Sequence, residues 1–339
     1  MQIPSHPDAF ETLCLQAADD GRGDALFGEC LSRARKVARP FMVGEEFPSV
    51  YLEFPLIGDP FLDVTALYRE LEPETRIDSK AAGGTGPLID WYTSEGSQVE
   101  EVSCGFELDV KDPDLPRAAV HFQPRQHWEL VEPFCKAIGE PDRAALYLDL
   151  ARRMPQGWPL SFLGLFRGRA GSPLRVCGYL DSDETRTCAE DPKRIAEAFD
   201  QIGFSAYDDV MLERVSALMK AASESVDFQF DVFDDGHIGE TFAIDVQFGI
   251  EQPEDVRASF ENGSAALALN MLESWGAADR RWKLAANAAF ARAIKVELEK
   301  GETGRYAFVL KPQWAKARWS TGVLQPAKLY FLAHAGLLV

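Results

Sequence analysis

The sequence predicts an α+β protein: an antiparallel sheet, open or barrel-like, built from repeated hairpin–helix-pair units with helices on one face. Three observations carry the prediction. Strand-length stretches such as Phe106-Glu-Leu-Asp-Val110 alternate apolar and polar residues, the period of a strand with one buried face. Pairs of these stretches flank turn-forming residues and are followed by apolar residues at helical spacing. The same order then recurs, with Phe228-Gln-Phe-Asp-Val232 matching Phe106–Val110 and Val246-Gln-Phe248 matching Val120-His-Phe122.

Taken in order, Phe10, Leu13, Cys14 and Ala17 share one helical face, closed by Gly21-Arg-Gly23, and Ala25–Val37 gives a second helix before Pro40. Ser49–Phe54 and Leu88–Tyr92 read as strands. Phe61–Leu71 reads as a helix striped by Leu62, Val64, Leu67, Tyr68 and Leu71, and Ala81–Gly86 as a loop. The hairpin 102–123 turns at Lys111–Pro116. Helices follow at Gln126–Ile138 and at Asp142–Arg153, the latter capped by Asp142. Strands Leu160–Arg167 and Leu174–Leu180 flank Gly168–Gly171, followed by helices Lys193–Ile202 and Asp208–Ala222. In the second unit the strands Val226–Val232 and Phe242–Ile250 precede helices at Glu254–Phe260, Ala265–Trp275 and Arg281–Ala291. Strands Ile294–Leu298 and Tyr306–Leu310 close it. Residues 1–100 thus form an N-terminal helical segment with first strands, 101–223 a first pseudo-repeat and 224–339 a second, packed as one large domain.

The chain has 339 residues, enough for a substantial core. Its 35 Lys and Arg stand against 54 Asp and Glu. Five of those cations and no acid follow Glu302, so residues 1–302 hold 30 against 54, a net of −24. A phosphate backbone would be repelled by such a body, which excludes nucleic acid as a partner. No apolar run reaches the ~20 residues of a membrane helix, and Met1–Phe10 lacks a signal pattern, so the expected address is cytoplasmic, with no membrane partner. The six cysteines are scattered without a C-x-x-C pair and read as small buried residues.

If the helices cover the apolar face, the opposite face presents Glu107, Asp109, His121, Gln123, Gln229, Asp231, Asp245 and Gln247, joined by Arg167, Arg175, Tyr179, Lys295 and Lys311. Such a mixture suits an extended polar ligand such as a peptide, or a barrel with a polar lumen; a solvated face is the commoner outcome. In the basic tail, alternation sets Trp314, Lys316 and Arg318 on one side and Trp319 on the other. One side must be core, so at most one tryptophan anchors a ligand. The expected ligand residues are therefore Asp109, His121, Arg167, Arg175, Tyr179, Gln229, Asp231, Asp245, Gln247, Trp314, Lys316 and Arg318.

No catalytic set is apparent. There is no G-x-S-x-G, and no cysteine lies in a reactive context. His121 and His127 lack a third metal ligand, and the turn Asp231–Phe242 ends on Phe where a calcium loop needs Glu. Gly83-Gly-Thr-Gly86 lacks the Lys-Ser/Thr ending of a phosphate loop. Asp231 and Asp245 would share a proton if they faced each other. Neither metal nor cofactor is expected.

The repeated order, the polar sheet face and the ending Lys328-Leu-Tyr-Phe331 resemble the α-β-β-α barrel prenyltransferases. That resemblance implies a lumen holding an indole or peptide acceptor, with Arg167, Arg175, Lys311 and Lys328 on a prenyl diphosphate. The segments Pro173–Leu180, Ile244–Pro253 and Ala327–Phe331 also resemble crocagin-type peptide-binding proteins of ribosomal peptide natural-product pathways. This second resemblance implies a non-catalytic protein that presents a precursor peptide to tailoring enzymes. With no catalytic constellation in view, peptide presentation is the expected function and prenyl transfer the alternative.

Overall fold

The computed structural model describes all residues except 1, 19–22, 45, 70, 72–85, 97–98, 100, 109–118, 167–172, 224, 299–301 and 339. Strands β1 (Ser49–Pro55), β2 (Asp63–Tyr68), β3 (Ser103–Leu108), β4 (Ala119–Gln123), β5 (Leu160–Leu165), β6 (Leu174–Leu180), β7 (Val226–Val232) and β8 (Ile238–Gln247) pair antiparallel in sequence order. Two later strands complete the ring. Strand β10 (Thr303–Ser320) pairs β8 along Trp314–Ser320, and β12 (Lys328–Leu338) joins β10 to β1. The result is a closed antiparallel barrel of ten strands, the barrel-like option of the sequence prediction.

Strand β10 is long because it serves two sheets. Its first half pairs β9 (Phe290–Glu297) outside the ring, and its second half closes the ring. A register shift between Pro312 and Trp314 separates the halves, where proline has no N–H to donate. A short strand, β11 (Val323–Leu324), caps the far end.

The outer face of the barrel carries one hydrophobic core covered by helices. The helix Pro192–Ile202 shows why: Ile195, Ala198, Phe199 and Ile202 recur at helical spacing and are all buried. Phe199 meets Phe242 at 4.8 Å and Phe230 at 5.9 Å in edge-to-face geometry. Asp191 opens this helix by accepting from the Lys193 amide, as Asp208 does for the helix Asp209–Ala221 from the Met211 amide. Gly105 lets β3 lie close to β2; a Cβ there would stand 2.4 Å from the Ala66 carbonyl oxygen.

Several expectations need correction. Residues 63–68 form β2 rather than a helix: Val64, Ala66 and Tyr68 point into the core, while Thr65 and Leu67 line the lumen. Leu62, Leu67 and Leu71 matched a helical stripe by chance. Leu88–Tyr92 lies in a helix, Gly86–Ser94, where Leu88, Ile89, Trp91 and Tyr92 are buried at helical spacing. Helix Asp142–Arg153 has Pro141 at its N-cap and no side-chain cap bond. A further helix, Ser182–Glu190, precedes the helix Pro192–Ile202. The helix expected over 281–291 ends at Ala288, and β9 begins at Phe290. The turns at 111–116 and 168–171 and residues 81–85 lie outside the described residues.

Candidate functional site in the barrel lumen

Because successive side chains of a strand alternate between faces, closing the sheet sends every second residue into the lumen. Here that inward set is polar. Two cavities occupy the lumen, one of about 510 Å³ and one of about 290 Å³. They meet at a shared waist of Glu107, Arg175, Gln229, Lys316 and Tyr330.

Cations line both cavities. Arg175, Lys316, Arg318 and Lys328 line the larger one, with Glu53, Asp59, Glu107 and Asp231 among them, and Arg69 and Arg125 join Arg175 and Lys316 in the smaller one. Strand register explains the pairs. Arg175 lies directly opposite Asp231 and grips it through Nε at 3.0 Å and one terminal nitrogen at 3.3 Å. Burial works against the charged guanidinium, but Asp231 outweighs it and holds Arg175 protonated. Glu53 lies opposite Tyr330 and accepts from both the Tyr330 hydroxyl and Lys328. Burial opposes ionisation of Glu53, yet Lys328 and Lys316 more than offset it, and its pKa falls below the ordinary value.

The smaller cavity is aromatic and carries a buried pair of aspartates beside its cations. Trp314 stacks on Tyr330 at 4.9 Å and tilts against Tyr51 at the same distance. Phe162 stacks on His121 at 5.0 Å, and His121 Nε2 lies 3.1 Å from Glu107. The His121 ring sits over Gly164, where a Cβ would come within 2.9 Å of Nδ1. Asp227 and Asp245 are cross-strand partners, and Asp245 is in turn opposite Lys316. Lys316 Nζ reaches Asp245 at 3.6 Å, while Gln229 donates to Asp245 and Gln247 to Asp227. Burial pushes the Asp227 carboxyl up to about 6 and the Asp245 carboxyl up to about 7. Each holds a proton unusually well for an aspartate.

The lumen thus brings together His121, Arg175, Gln229, Asp231, Asp245, Gln247, Trp314, Lys316 and Arg318 of the expected ligand residues. Gln247 is placed there by its bond to Asp227 and the rest by the cavity walls. Trp319 faces the other way, fully buried against Phe242, so the two tryptophans do divide between lumen and core. Tyr179 is 41% exposed beyond the cavity walls. Asp109 and Arg167 lie outside the described residues. Lys295 is exposed on β9, and Lys311 is bound by the Ile250 and Glu251 carbonyls, so neither reaches the cavities. The acid facing Asp245 is Asp227 rather than Asp231, because the β7–β8 register pairs Asp227 with Asp245, while Asp231 lies four residues further along β7, opposite Arg175 of β6. Glu53, Tyr51, Asp227 and Tyr330 were missed as site residues. The alternation of Ser49–Phe54 and of Val226–Val232 already marks Tyr51, Glu53 and Asp227 as polar-face positions.

Among the described residues no three His, Cys, Asp or Glu converge as metal ligands, and no helix is long and apolar enough to cross a membrane. Burial raises the Cys177 thiol at the lumen wall, leaving it a poor nucleophile.

No protein-family model matches the sequence, and no curated protein sequence does. Solved structures do resemble it. The 5-dimethylallyltryptophan synthase of Streptomyces coelicolor matches with a TM-score of 0.50 at 13% identity, over 97% of both chains. AnaPT of Neosartorya fischeri matches with a TM-score of 0.51 at 10% identity, over 98% of this chain and 92% of that one. The shared fold is the α-β-β-α prenyltransferase barrel. This likeness favours the first resemblance in the sequence over the crocagin-type one.

Proposed function

We propose that the lumen is the active site of a prenyltransferase that joins an allylic diphosphate to an electron-rich aromatic ring, an indole or an aromatic residue of a peptide. The observation that carries this reading is the make-up of the lumen. Four cations gather around the larger cavity, and an aromatic, carboxylate-bearing pocket adjoins it inside a closed barrel. The S. coelicolor synthase of the same fold has been crystallised with DMASPP and Trp.

The chemistry follows from the placement. Arg175 commits Nε and one terminal nitrogen to Asp231 and keeps further N–H donors for a phosphate oxygen. Lys316 and Lys328 add charge as the allylic C–O bond breaks and its electron pair leaves with the diphosphate. Tyr330, Trp314 and Tyr51 offer ring faces to the allylic cation and keep water from it. A ring carbon of the acceptor supplies the electron pair for the new C–C bond. The proton it then carries passes to a carboxylate, and Asp245, with its raised proton affinity, suits that task.

The pairing of Arg175, Lys316 and Lys328 with carboxylates also fits a non-catalytic peptide binder, because paired cations bind amides without needing an anion. Calorimetry separates the two. Dimethylallyl diphosphate should bind, and binding should be lost in Lys316→Ala. A peptide that binds while the diphosphate gives no heat would overturn the transferase reading.

A further inference from the structure

The barrel wall runs on past the mouth of the smaller cavity. There β9, the first half of β10 and the second half of β12 form a three-stranded sheet outside the ring. One face of this extension is core: Tyr306, Phe308 and Ala335 are buried, and the helix His6–Ala18 lies against both β10 and β12. The other face continues the lumen. By unbroken alternation, the side of β12 that carries Lys328 and Tyr330 in the barrel carries Leu332, His334, Gly336 and Leu338 beyond it. Leu332 stands opposite Tyr51, a wall residue of the smaller cavity.

An open antiparallel face ordinarily carries polar side chains. Here the rows across the strands are Ala291, Val309 and His334, then Ala293, Ala307 and Gly336, then Lys295, Arg305 and Leu338. None of the nine is buried, and Leu338 is 54% exposed. The middle is therefore a shallow trough of small apolar residues, two strand spacings or about 10 Å wide. At its far end Lys295 and Arg305 are direct cross-strand partners, and like charges so placed repel each other. Acids stand at its borders: Glu46 near His334, Glu251 near Lys311, and Glu297 one row beyond Lys295. A bilayer surface would call for cations spread around the patch, whereas charge at one end of a narrow trough suits a single extended chain.

We propose that this trough docks the chain of a peptide acceptor, whose aromatic residue enters the smaller cavity while an acidic residue reaches Lys295 and Arg305. Leu338, in the row of those cations, follows Tyr330 by eight residues, about 27 Å of strand. An extended peptide therefore carries its acid about eight positions from its aromatic residue. The fate of that aromatic residue rests on the proposed function, but the docking is a binding property that stands without prenyl transfer.

The test is calorimetry on the full chain, without allylic diphosphate, using linear peptides of identical composition. In one, a Trp and a Glu-Glu pair are about eight residues apart across a Gly, Ser and Ala spacer, made in both chain directions. In the other, the Glu-Glu pair adjoins the Trp. The spaced peptide should bind about fivefold more tightly in one of its directions, as two exposed ion pairs allow, and high salt should shrink the difference. Lys295→Glu with Arg305→Glu should abolish the preference. Ala307→Trp, which fills the trough without changing its charge, should weaken the spaced peptide alone. All three positions lie on the open face, and melting temperatures should confirm that the variants fold. Equal affinity for the peptides, a preference that survives both variants, or no binding overturns the proposal. So does binding to anionic vesicles, or a dimer, that the charge reversal abolishes, since either gives the face another occupant. If the spaced peptide is preferred but no prenyl transfer occurs, only the function fails. If the peptides are prenylated without preference, only the docking fails.

Discussion

Replacing Asp245 with Asn should make the protein more stable above neutral pH and leave it nearly unchanged below about pH 4. Burial lifts this carboxyl from 3.8 to about 7. Between those values the folded protein still holds the proton that the unfolded chain has lost, so stability falls as pH rises through that window. At ~1.4 kcal/mol for each tenfold change in proton affinity, the whole difference amounts to ~4 kcal/mol. Attraction to Lys316 is forfeited with the charge, and Asp227 competes for the same proton. One substitution should therefore recover on the order of 2 kcal/mol at pH 8, or about 3–5 °C in melting temperature. Urea unfolding of both proteins at about pH 4 and pH 8 measures this. An Asn variant that loses stability at pH 8 would show that the ionised carboxylate is well paired in the fold, and the reasoning on the lumen charge would fail.

Three further outcomes are expected. Lys328→Met strands Glu53 in the barrel wall and should cost about 3 kcal/mol by chemical denaturation, whereas Lys328→Met with Glu53→Gln should cost clearly less. Trp319→Ala opens the core beside Phe242 and should cost about 3–5 kcal/mol. Trp314→Ala should cost less than that and raise the acceptor KM instead, as steady-state kinetics would show. Arg175→Gln leaves Asp231 without its guanidinium and should weaken diphosphate binding about 10–100-fold in calorimetry.

The sequence exposed the polar wall because alternation is local: Gln229, Asp231, Asp245 and Gln247 stand out between Phe228, Phe230, Ile244 and Val246. Closure of the ring was not legible, since it depends on β10 leaving β9 at Pro312 and pairing β8 from Trp314 onward, a contact between strands about 70 residues apart. The pairing of Asp245 was misread for a related reason. Its partner is set by the register in which β7 meets β8, which no pattern of residue types reveals. Strand β2 was hidden because its lumen face carries Leu67 and its core face Leu62 and Val64, so apolar residues fall on both sides and blur the period of two. The basic tail turns much of its charge inward, with Lys316 on Asp245 and Lys328 on Glu53.

The central claim, that this barrel transfers a prenyl group in its lumen, is tested most directly by mass spectrometry of the acceptor after incubation with dimethylallyl diphosphate. The wild-type chain should add one dimethylallyl unit to tryptamine or to an indole-bearing peptide and release one diphosphate for each product, while Lys316→Ala should yield none. An unchanged acceptor mass across indoles, arylalkylamines and aromatic peptides, from a protein that gives no heat with the diphosphate, would contradict the account.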